Sequence, residues 1–388
     1  MRLSDILKNK NGSGKQELPK KDDNKSDVEK SPKSLFLKSS LKKEILEKLK
    51  EQNLIPTTEE SEKSQQVSVS QNEVEKVYGY AVKNVKEIFA GISTGKSEIS
   101  SVDIMKSAED IIECCKNFSD EILFYTNYST PDNYIYSHSV NVAIFSTVLS
   151  LEKKFSKGDI FVVALGGLLH DIGMARLLSL SSQKKKFSEE EHEEIKMHSA
   201  YVQEEISKIK LDSEIRKKLI DIITPVHERT DGSGYPNNLR DEQINVYSKI
   251  ISIADVYEAM SHPRPYKERV LPHNALVELI HSAHNKLDSE LVKMFVDRVS
   301  LFPIGSYVKL NTEEIGVVVG VNKGFPVRPK VRIVLNADKT TAEPQIIDLS
   351  KESKIFIVET VDELKLNIPD KKMLLKLRSQ YWWVKNVM

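Results

Sequence analysis

The stretch IFVVALGGLLHDIGMARL, Ile160–Leu177, places a histidine and an aspartate directly after an uncharged apolar run. The run predicts a buried helix, because its residues offer no polar face for water. A buried carboxylate without a partner costs on the order of several kcal/mol. Asp171 therefore requires a cation or hydrogen-bond donors, and His170 and Asp171 are the first candidate site residues.

Length and charge limit the class of protein. The 388 residues leave room for two or three domains, and the formal net charge of zero provides no general attraction to polymeric nucleic acid or to an anionic membrane. The two cysteines, Cys114 and Cys115, are neighbours and predict free buried thiols in a reducing compartment. The N-terminus lacks an apolar signal core, so we expect a cytoplasmic protein without a membrane span.

Composition divides the chain into four segments. The first is rich in Lys, Glu and Ser and contains one candidate helix, SSLKKEILEKLKEQN, with Ser40 as its N-cap. This segment is either a solvated tail or a docking element for a protein partner. The predicted segments are a disordered charged tail, 1–74; a helical lead-in, 75–126; a helical domain, 127–300; and a small β-rich C-terminal domain, 301–388.

The predicted fold class is mainly α, a helical bundle followed by a small antiparallel β domain. The β prediction depends on short β-branched runs such as EIGVVVGV and KVRIVL, which are separated by Asn, Gly and Pro. The final stretch, LLKLRSQYWWVKNVM, is a candidate closing helix, and Trp382 and Trp383 are expected either to pack on the sheet or to meet a partner.

Four histidines and one further aspartate recur at a regular spacing. The separations between His138, His170, His198, His227 and Asp255 are 32, 28, 29 and 28 residues. Each interval suits a helix, a turn and part of the next helix, so antiparallel packing would bring the side chains together. Imidazoles with carboxylates suit Mn, Fe, Co, Ni or Zn, and Asp171 is able to bridge two ions.

The alternative is that these histidines are ordinary packing residues, because a helix-rich chain produces such spacing by accident. Spacing alone leaves this alternative open. The remaining histidines lack a comparable context and are predicted to be surface or packing residues: His192, His262, His273, His281 and His284.

Three motifs occur in a specific order: HDIG at 170–173, HERTDGSGYP at 227–236 and ADVYEAMSHPRPYK at 254–267. Together they resemble the HD-GYP family, a branch of the HD-domain metal-dependent phosphohydrolases. The resemblance covers about 127–300 and continues weakly into PIGSYVKLNTEEIGVVVGVN, a β-rich segment that often follows such domains.

The resemblance implies an HD-domain helical bundle that hydrolyses cyclic di-GMP to pGpG and/or GMP. It implies two divalent transition metals, with Fe or Mn favoured and Zn, Co or Ni possible, which assist the attack of water on phosphorus. Asp171 is the expected catalytic residue. The expected metal ligands are His138, His170, Asp171, His198, His227 and Asp255.

The resemblance also suggests substrate-binding residues. Gly234, Tyr235 and Pro236 would form a wall, in which the tyrosine ring stacks on guanine. Arg264 and Lys267 would contact phosphate. The alternatives are a purely structural turn around Tyr235 and solvated or ion-paired cations.

This chain departs from the family pattern at three positions. Met174 replaces the usual lysine after HDIG, Val226 replaces one of two adjacent histidines, and Tyr134 replaces the glutamate that relatives use for a third metal. Arg176 is a candidate replacement for the lysine. Glu190 and Glu194 share a helical face with His198 and either orient that imidazole or form a solvated acidic face.

These observations leave three hypotheses. The first is a two-metal cyclic di-GMP phosphodiesterase. The second, motivated by Met174 and Val226, is a catalytically degenerate module that binds the nucleotide or a protein partner without hydrolysis. The third keeps the enzyme but changes the substrate to another cyclic dinucleotide. A homodimer is a further expectation.

Overall fold

A computed structural model describes residues 59–127, 134–183, 185–264, 269–362 and 365–366. These residues form a helical body followed by a small antiparallel sheet, which confirms the predicted fold class. Lys267, Ser40, Trp382 and Trp383 lie outside the described residues, so the predictions made for them remain predictions.

The helical body consists of α-helices joined by short loops. The helices are α1 Glu59–Ser93, α2 Val102–Asn117, α3 Ser119–Tyr125, α4 Tyr134–Glu152, α5 Lys157–Leu169, α6 Leu178–Ser181, α7 Glu189–Lys196, α8 His198–Ser207, α9 Ser213–Ile223, α10 Val246–Ser261, α11 Pro272–Ser282 and α12 Ser289–Val299. Short 3-10 helices occupy Ile172–Arg176, Thr224–His227 and Asp241–Gln243.

Polar residues at the predicted turns explain where several helices begin. The Ser156 side chain accepts a hydrogen bond from the Asp159 amide at 3.2 Å at the start of α5, and Asn245 accepts one from the Ser248 amide at 2.8 Å at the start of α10. Such caps satisfy backbone N–H groups that have no partner within the helix. They fix the starts of α5, which ends just before His170, and of α10, which carries Asp255.

The centre of the core is the contact between α4 and α5. Gly167 allows the two helices to approach closely, since a Cβ at this position would stand 2.6 Å from the Cα of Ala143. Nearly every residue of α4 from Ile135 to Ser150 is buried. This contact brings His138 on α4 next to His170 at the end of α5.

The stretch Lys157–Arg176 is long and apolar enough to cross a membrane, but 78% of its most apolar window is buried inside the protein. The buried core helix of a folded domain meets the same length and composition criteria. No membrane span is therefore evident in the described residues.

The sheet follows the last helix and shares the main core. Its strands are β1 Tyr307–Leu310, β2 Ile315–Gly320, β3 Lys330–Leu335, β4 Thr341–Asp348 and β5 Ile357–Val361, in the antiparallel order β4-β3-β2-β1-β5. Val308, Val318 and Val331 lie on one face and join the apolar cluster of the helices. A smaller cluster on the other face contains Tyr307 and Val317.

The first helix begins earlier than the sequence predicts. Residues 59–74 were expected to belong to the disordered tail, but α1 starts at Glu59 and crosses the predicted boundary. Val74, Tyr78 and Ala81 bury one face of this helix in the core. Once a helix is anchored in this way, each added residue gains one backbone hydrogen bond, so the helix extends into the polar stretch. Residues before 59 lie outside the described part of the chain.

Candidate metal centre

The fold brings all six predicted metal ligands into one site. His138 lies on α4, His170 and Asp171 follow α5, His198 begins α8, His227 ends a 3-10 helix and Asp255 lies on α10. The four imidazoles are at most 8% exposed, and Asp255 is equally buried. The regular spacing therefore arises because several packed helices, or the turns next to them, contribute side chains to the same site.

Asp171 occupies the middle of this site. Its Oδ1 atom lies 3.3 Å from His170 Nε2, 3.4 Å from His198 Nε2 and 3.5 Å from His227 Nε2. Its Oδ2 atom lies 3.6 Å from His138 Nε2. The ligand atoms form two clusters, His138–His170–Asp171 and Asp171–His198–His227, within each of which they lie at most 4.8 Å apart. Asp171 belongs to both clusters.

Asp255 closes the site from the opposite helix. Its Oδ1 atom lies 3.4 Å from His138 Nε2 and 4.0 Å from His170 Nε2, whereas its Oδ2 atom lies 3.5 Å from His227 Nδ1. Each carboxylate oxygen therefore faces a different cluster. Two carboxylates and four imidazoles are the donors that divalent transition metals prefer.

Two buried nitrogen atoms test whether a cation fits. His138 Nε2 and His170 Nε2 are buried and have no hydrogen-bond partner of good geometry among the described residues. A buried polar atom without a partner is costly and uncommon in folded proteins. Both nitrogens point toward the two carboxylates, so a divalent ion between them would satisfy nitrogen and oxygen atoms together. The residues present fit a metal.

The carboxylates retain their negative charge inside the protein. Burial raises the pKa of Asp171 and of Asp255, but the neighbouring imidazoles outweigh this and hold both pKa values well below the ordinary range. Burial also lowers the pKa of His170. The site therefore holds two anionic groups that require compensation by protons or by metal.

Two further imidazoles attract protons when no metal is bound. Burial lowers the pKa of His138, but Glu258 and Asp255 outweigh it and raise the pKa to about 10. Burial lowers the pKa of His227 as well, and Asp171 and Asp255 raise it to about 9. Protons thus supply the positive charge that the carboxylates need.

Hydrogen bonds orient three of the imidazoles. His170 Nδ1 contacts the Gly167 carbonyl at 2.9 Å, His198 Nδ1 contacts the Ile195 carbonyl at 2.5 Å, and His138 Nδ1 contacts the Glu258 carboxylate. These contacts leave each Nε2 atom directed at the centre, the usual arrangement for metal-binding histidines. His227 is different, since its Nε2 atom lies 2.8 Å from His198 Nε2.

Glu258 was not among the residues predicted from the sequence. This glutamate is 3% exposed and lies one helical turn after Asp255, on the same face of α10. Glu258 lies three residues after the predicted ligand Asp255, and this helical spacing is the signal by which it could have been predicted.

Glu228 was not predicted either; it follows His227 and is 2% exposed. Its carboxylate accepts hydrogen bonds from the Asn237 amide at 2.6 Å and the Leu239 amide at 3.0 Å. Glu228 therefore holds the following loop against the site. Gly234 of this loop lies so close to Glu228 that a Cβ at position 234 would stand 2.3 Å from the Glu228 Cα.

The tyrosine of this loop packs on the metal centre. The Tyr235 ring stacks on His227 with centroids 5.0 Å apart and an interplanar angle of 15°. One face of the ring is therefore covered, and only the other parts of Tyr235 remain for a ligand. The Tyr235–Pro236 peptide bond is cis.

A cavity of about 290 Å³ opens over the site. Its wall combines the metal-centre residues with aromatic, apolar and cationic side chains. Those outside the predicted ligands include Tyr134, Met174, Phe187, Ile195, Arg229, Tyr235, Met260 and Arg264. The structure thus places two of the five predicted substrate-binding residues, Tyr235 and Arg264, at the cavity.

The departures from the family pattern have different structural settings. Met174 is 7% exposed and lines the cavity, whereas Val226 is fully buried in the core. Tyr134 also lines the cavity, and its hydroxyl donates to the Ser181 carbonyl at 2.7 Å. The interior of the cavity near residue 174 therefore carries a thioether in place of an ammonium group.

The Arg176 side chain forms ion pairs outside the cavity. Its guanidinium pairs with Glu204 and Glu205 and lies 4.4 Å from the centroid of the Tyr201 ring. It is not part of the cavity wall. The hypothesis that Arg176 replaces the missing lysine is therefore wrong, because its ion pairs hold the guanidinium away from the cavity.

Glu190 and Glu194 are exposed. Glu190 accepts a hydrogen bond from Ser188, and among the described contacts neither glutamate touches His198. The solvated acidic face is the correct alternative. His262 is a packing residue, since it is buried and its Nε2 atom contacts the Thr126 carbonyl at 2.6 Å.

Two family models match this chain. Residues 131–291 match a model described as HD domain, and residues 307–367 match one described as KOW domain associated with HD domain. The first match contains all six predicted metal ligands. Residues 131–291 therefore form an HD domain, and these matches support the HD-GYP family. The HD domain and the KOW domain that follows it thus correspond to the helical body and the C-terminal sheet.

Curated relatives resemble this chain at moderate identity. A cyclic di-GMP phosphodiesterase of Pseudomonas aeruginosa is 28% identical over 233 residues, which cover 59% of this chain and 55% of the relative. A cyclic di-GMP phosphodiesterase of Borreliella burgdorferi is 29% identical over 224 residues, covering 58% and 56%. A 3'3'-cGAMP-specific phosphodiesterase of Vibrio cholerae is 28% identical over 171 residues, covering 44% and 36%. The chain thus spans just over half the length of the first two.

Proposed function

We propose that this chain is a metal-dependent phosphodiesterase that hydrolyses cyclic di-GMP to pGpG and/or GMP. The observation that carries the proposal is the position of Asp171, whose carboxylate belongs to both clusters of ligand atoms. A carboxylate shared by two metals suits a site that acts on a phosphoryl group. The names of the two cyclic di-GMP phosphodiesterases among the relatives support the choice of substrate.

Two divalent transition metals are proposed as cofactors, with Fe or Mn favoured and Zn, Co or Ni compatible with the donors. One set of ligands is His138 and His170, the other is His198 and His227, and Asp171 and Asp255 serve both. Such ions lower the pKa of water and neutralise charge on a phosphoryl group. Asp171 is accordingly proposed as the catalytic residue.

The substrate side of the cavity is proposed to contain Arg264, Lys267, Gly234, Tyr235 and Pro236. Arg264 lines the cavity and supplies a guanidinium for phosphate. Gly234 and Pro236 shape the loop that Glu228 holds in place. The role of Lys267 follows from the family resemblance alone.

The test is turnover by the purified full chain. The protein is loaded anaerobically with Mn²⁺ or Fe²⁺ and incubated with cyclic di-GMP, and nucleotides are separated by chromatography. We expect linear pGpG or GMP, and no product from an Asp171→Asn variant. Bound metal with unchanged cyclic di-GMP would reject the proposal.

A second candidate function is binding without hydrolysis, which Met174 favours. This side chain lies in the cavity wall and offers neither charge nor a hydrogen-bond donor to a phosphate. In that case the same assay recovers intact nucleotide from a stable complex. A protein partner would be the alternative ligand of such a module.

A third candidate keeps the chemistry and changes the substrate. The relative of Vibrio cholerae is named for 3'3'-cGAMP, so other cyclic dinucleotides deserve the same assay. Competition between cyclic di-GMP and 3'3'-cGAMP would decide between them. A cytoplasmic location, a homodimer and a protein partner for the N-terminal tail remain part of the proposal.

A further inference from the structure

A buried hydrogen-bond network joins the metal centre to the first helix. It begins at His138 Nδ1, which contacts Glu258 Oε2. Glu258 Oε1 accepts a hydrogen bond from Asn141 Nδ2 at 3.1 Å. Asn141 Oδ1 accepts one from the Tyr78 hydroxyl at 2.9 Å. The network therefore runs from α4 to α10, returns to α4 at Asn141 and ends on α1.

All four residues of this network are buried. Asn141 is fully buried, His138 and Glu258 are each 3% exposed, and Tyr78 is 7% exposed. Burial of a carboxylate is costly unless it is paired and hydrogen-bonded. Glu258 meets this condition through His138 and Asn141. In addition, His262 Nδ1 lies 3.5 Å from Glu258 Oε1.

The contact with Glu258 determines which nitrogen of His138 faces the site. Because Nδ1 is held by the carboxylate, Nε2 is left to point toward Asp171 and Asp255. Partners of this kind fix the ring orientation of metal-binding histidines and commonly change metal affinity by about 10–100-fold when they are mutated. Asn141 and Tyr78 in turn hold Glu258 in place.

We propose that Glu258, Asn141 and Tyr78 are positioning residues for His138. Through Tyr78, α1 helps to hold the metal centre in its binding geometry. The inference rests on the proposed metal site and extends it. Tyr78 lies outside residues 131–291, which match the HD domain. The lead-in helix is then required for full metal affinity, beyond its contribution to the core.

Metal affinity is the direct test. The full chain is stripped of metal and titrated with Co²⁺, and visible absorption reports both affinity and ligand geometry. We expect Glu258→Gln to weaken the first Co²⁺ site by about 10–100-fold and to change its absorption spectrum. Tyr78→Phe keeps the ring and removes one hydroxyl, so we expect a smaller loss of about threefold.

Tyr257→Phe is the matched control. This tyrosine is 3% exposed and precedes Glu258 on α10, but its ring packs against Phe145 and Phe295. Its loss of a hydroxyl should lower thermal stability without changing Co²⁺ affinity or the spectrum. Thermal unfolding of the metal-free variants separates a general loss of stability from a specific loss of metal binding.

The inference is overturned if Glu258→Gln binds Co²⁺ with the affinity and spectrum of the unaltered chain, or if Tyr257→Phe matches Tyr78→Phe in affinity. Failure of the unaltered chain to bind Co²⁺ would overturn it together with the metal site. The Co²⁺ titration does not depend on turnover. If the protein binds metal but leaves cyclic di-GMP intact in the separate assay, only the proposed enzymatic function is rejected.

Discussion

Gly173 lies directly against the backbone of His198. A Cβ at position 173 would stand 2.0 Å from the carbonyl oxygen of His198, a distance that no real pair of such atoms adopts. The 3-10 helix after Asp171 and the start of α8 therefore approach each other only because residue 173 has no side chain. This contact determines how far His198 lies from Asp171.

Gly173→Ala is expected to separate these two segments and to weaken the cluster formed by Asp171, His198 and His227. We expect lower metal content and strongly reduced turnover, measured by metal analysis and by the cyclic di-GMP assay. Gly79→Ala is the control, since nothing lies within 4 Å of a Cβ there. That change should stabilise α1 by about 0.5–1 kcal/mol. Normal metal content in Gly173→Ala would contradict the prediction.

Asp171→Asn is expected to impair both clusters at once. The amide supplies one oxygen and no negative charge, whereas the native carboxylate places Oδ2 near His138 and Oδ1 near both His170 and His198. We therefore expect less metal per chain than in His138→Ala or His198→Ala, each of which removes a ligand from one cluster. Anaerobic metal analysis of the three variants measures the difference. Equal metal content in all three would argue against a shared ligand.

Met174→Lys is expected to strengthen substrate binding or turnover. The thioether lines the cavity, and an ammonium group at this position would add a charged hydrogen bond to phosphate. Such bonds contribute about 1.5–3 kcal/mol, which corresponds to a gain of about tenfold or more in kcat/KM. Steady-state kinetics with cyclic di-GMP measures this gain.

Arg176→Met is the comparison for Met174→Lys. Because Arg176 pairs with Glu204 and Glu205, we expect its loss to reduce thermal stability while kcat/KM changes little. A large loss of kcat/KM in Arg176→Met would show that this arginine reaches the substrate after all.

Metal binding is expected to release protons. In the metal-free site the pKa of His138 is raised to about 10 and that of His227 to about 9, so both imidazoles carry protons at pH 7.5. A metal requires the neutral nitrogen, and its apparent affinity should therefore rise with pH up to about 9. Calorimetry in buffers of different ionisation enthalpy measures the released protons. The Glu258→Gln variant should release fewer.

The same shifts give the metal-free protein a dependence of stability on pH. A raised pKa in the folded state stabilises it fully below the unfolded value of about 6.5, and this contribution is lost as pH rises toward the folded values of about 9 and 10. We expect the Tm of the metal-free protein to fall between pH 7 and pH 10. Added Mn²⁺ should oppose this fall, because metal replaces the protons.

Local patterns were sufficient to predict much of this protein. The apolar run before His170 predicted a buried helix, and the β-branched runs after residue 301 predicted an antiparallel sheet. The regular spacing and the HDIG motif led to the six candidate ligands, which the fold brings together. These features are periodic or contiguous along the chain, so they can be seen without knowledge of packing.

Contacts between distant residues were decided by the tertiary structure alone. The pairing of Glu258 with His138 spans 120 residues, and the ion pairs of Arg176 depend on how α8 packs beside the 3-10 helix. The extension of α1 into the polar tail follows from the anchoring of Val74 and Tyr78 in the core. Composition and periodicity determine which faces are buried, but which polar groups then meet is determined by the packing of helices that are far apart in the chain.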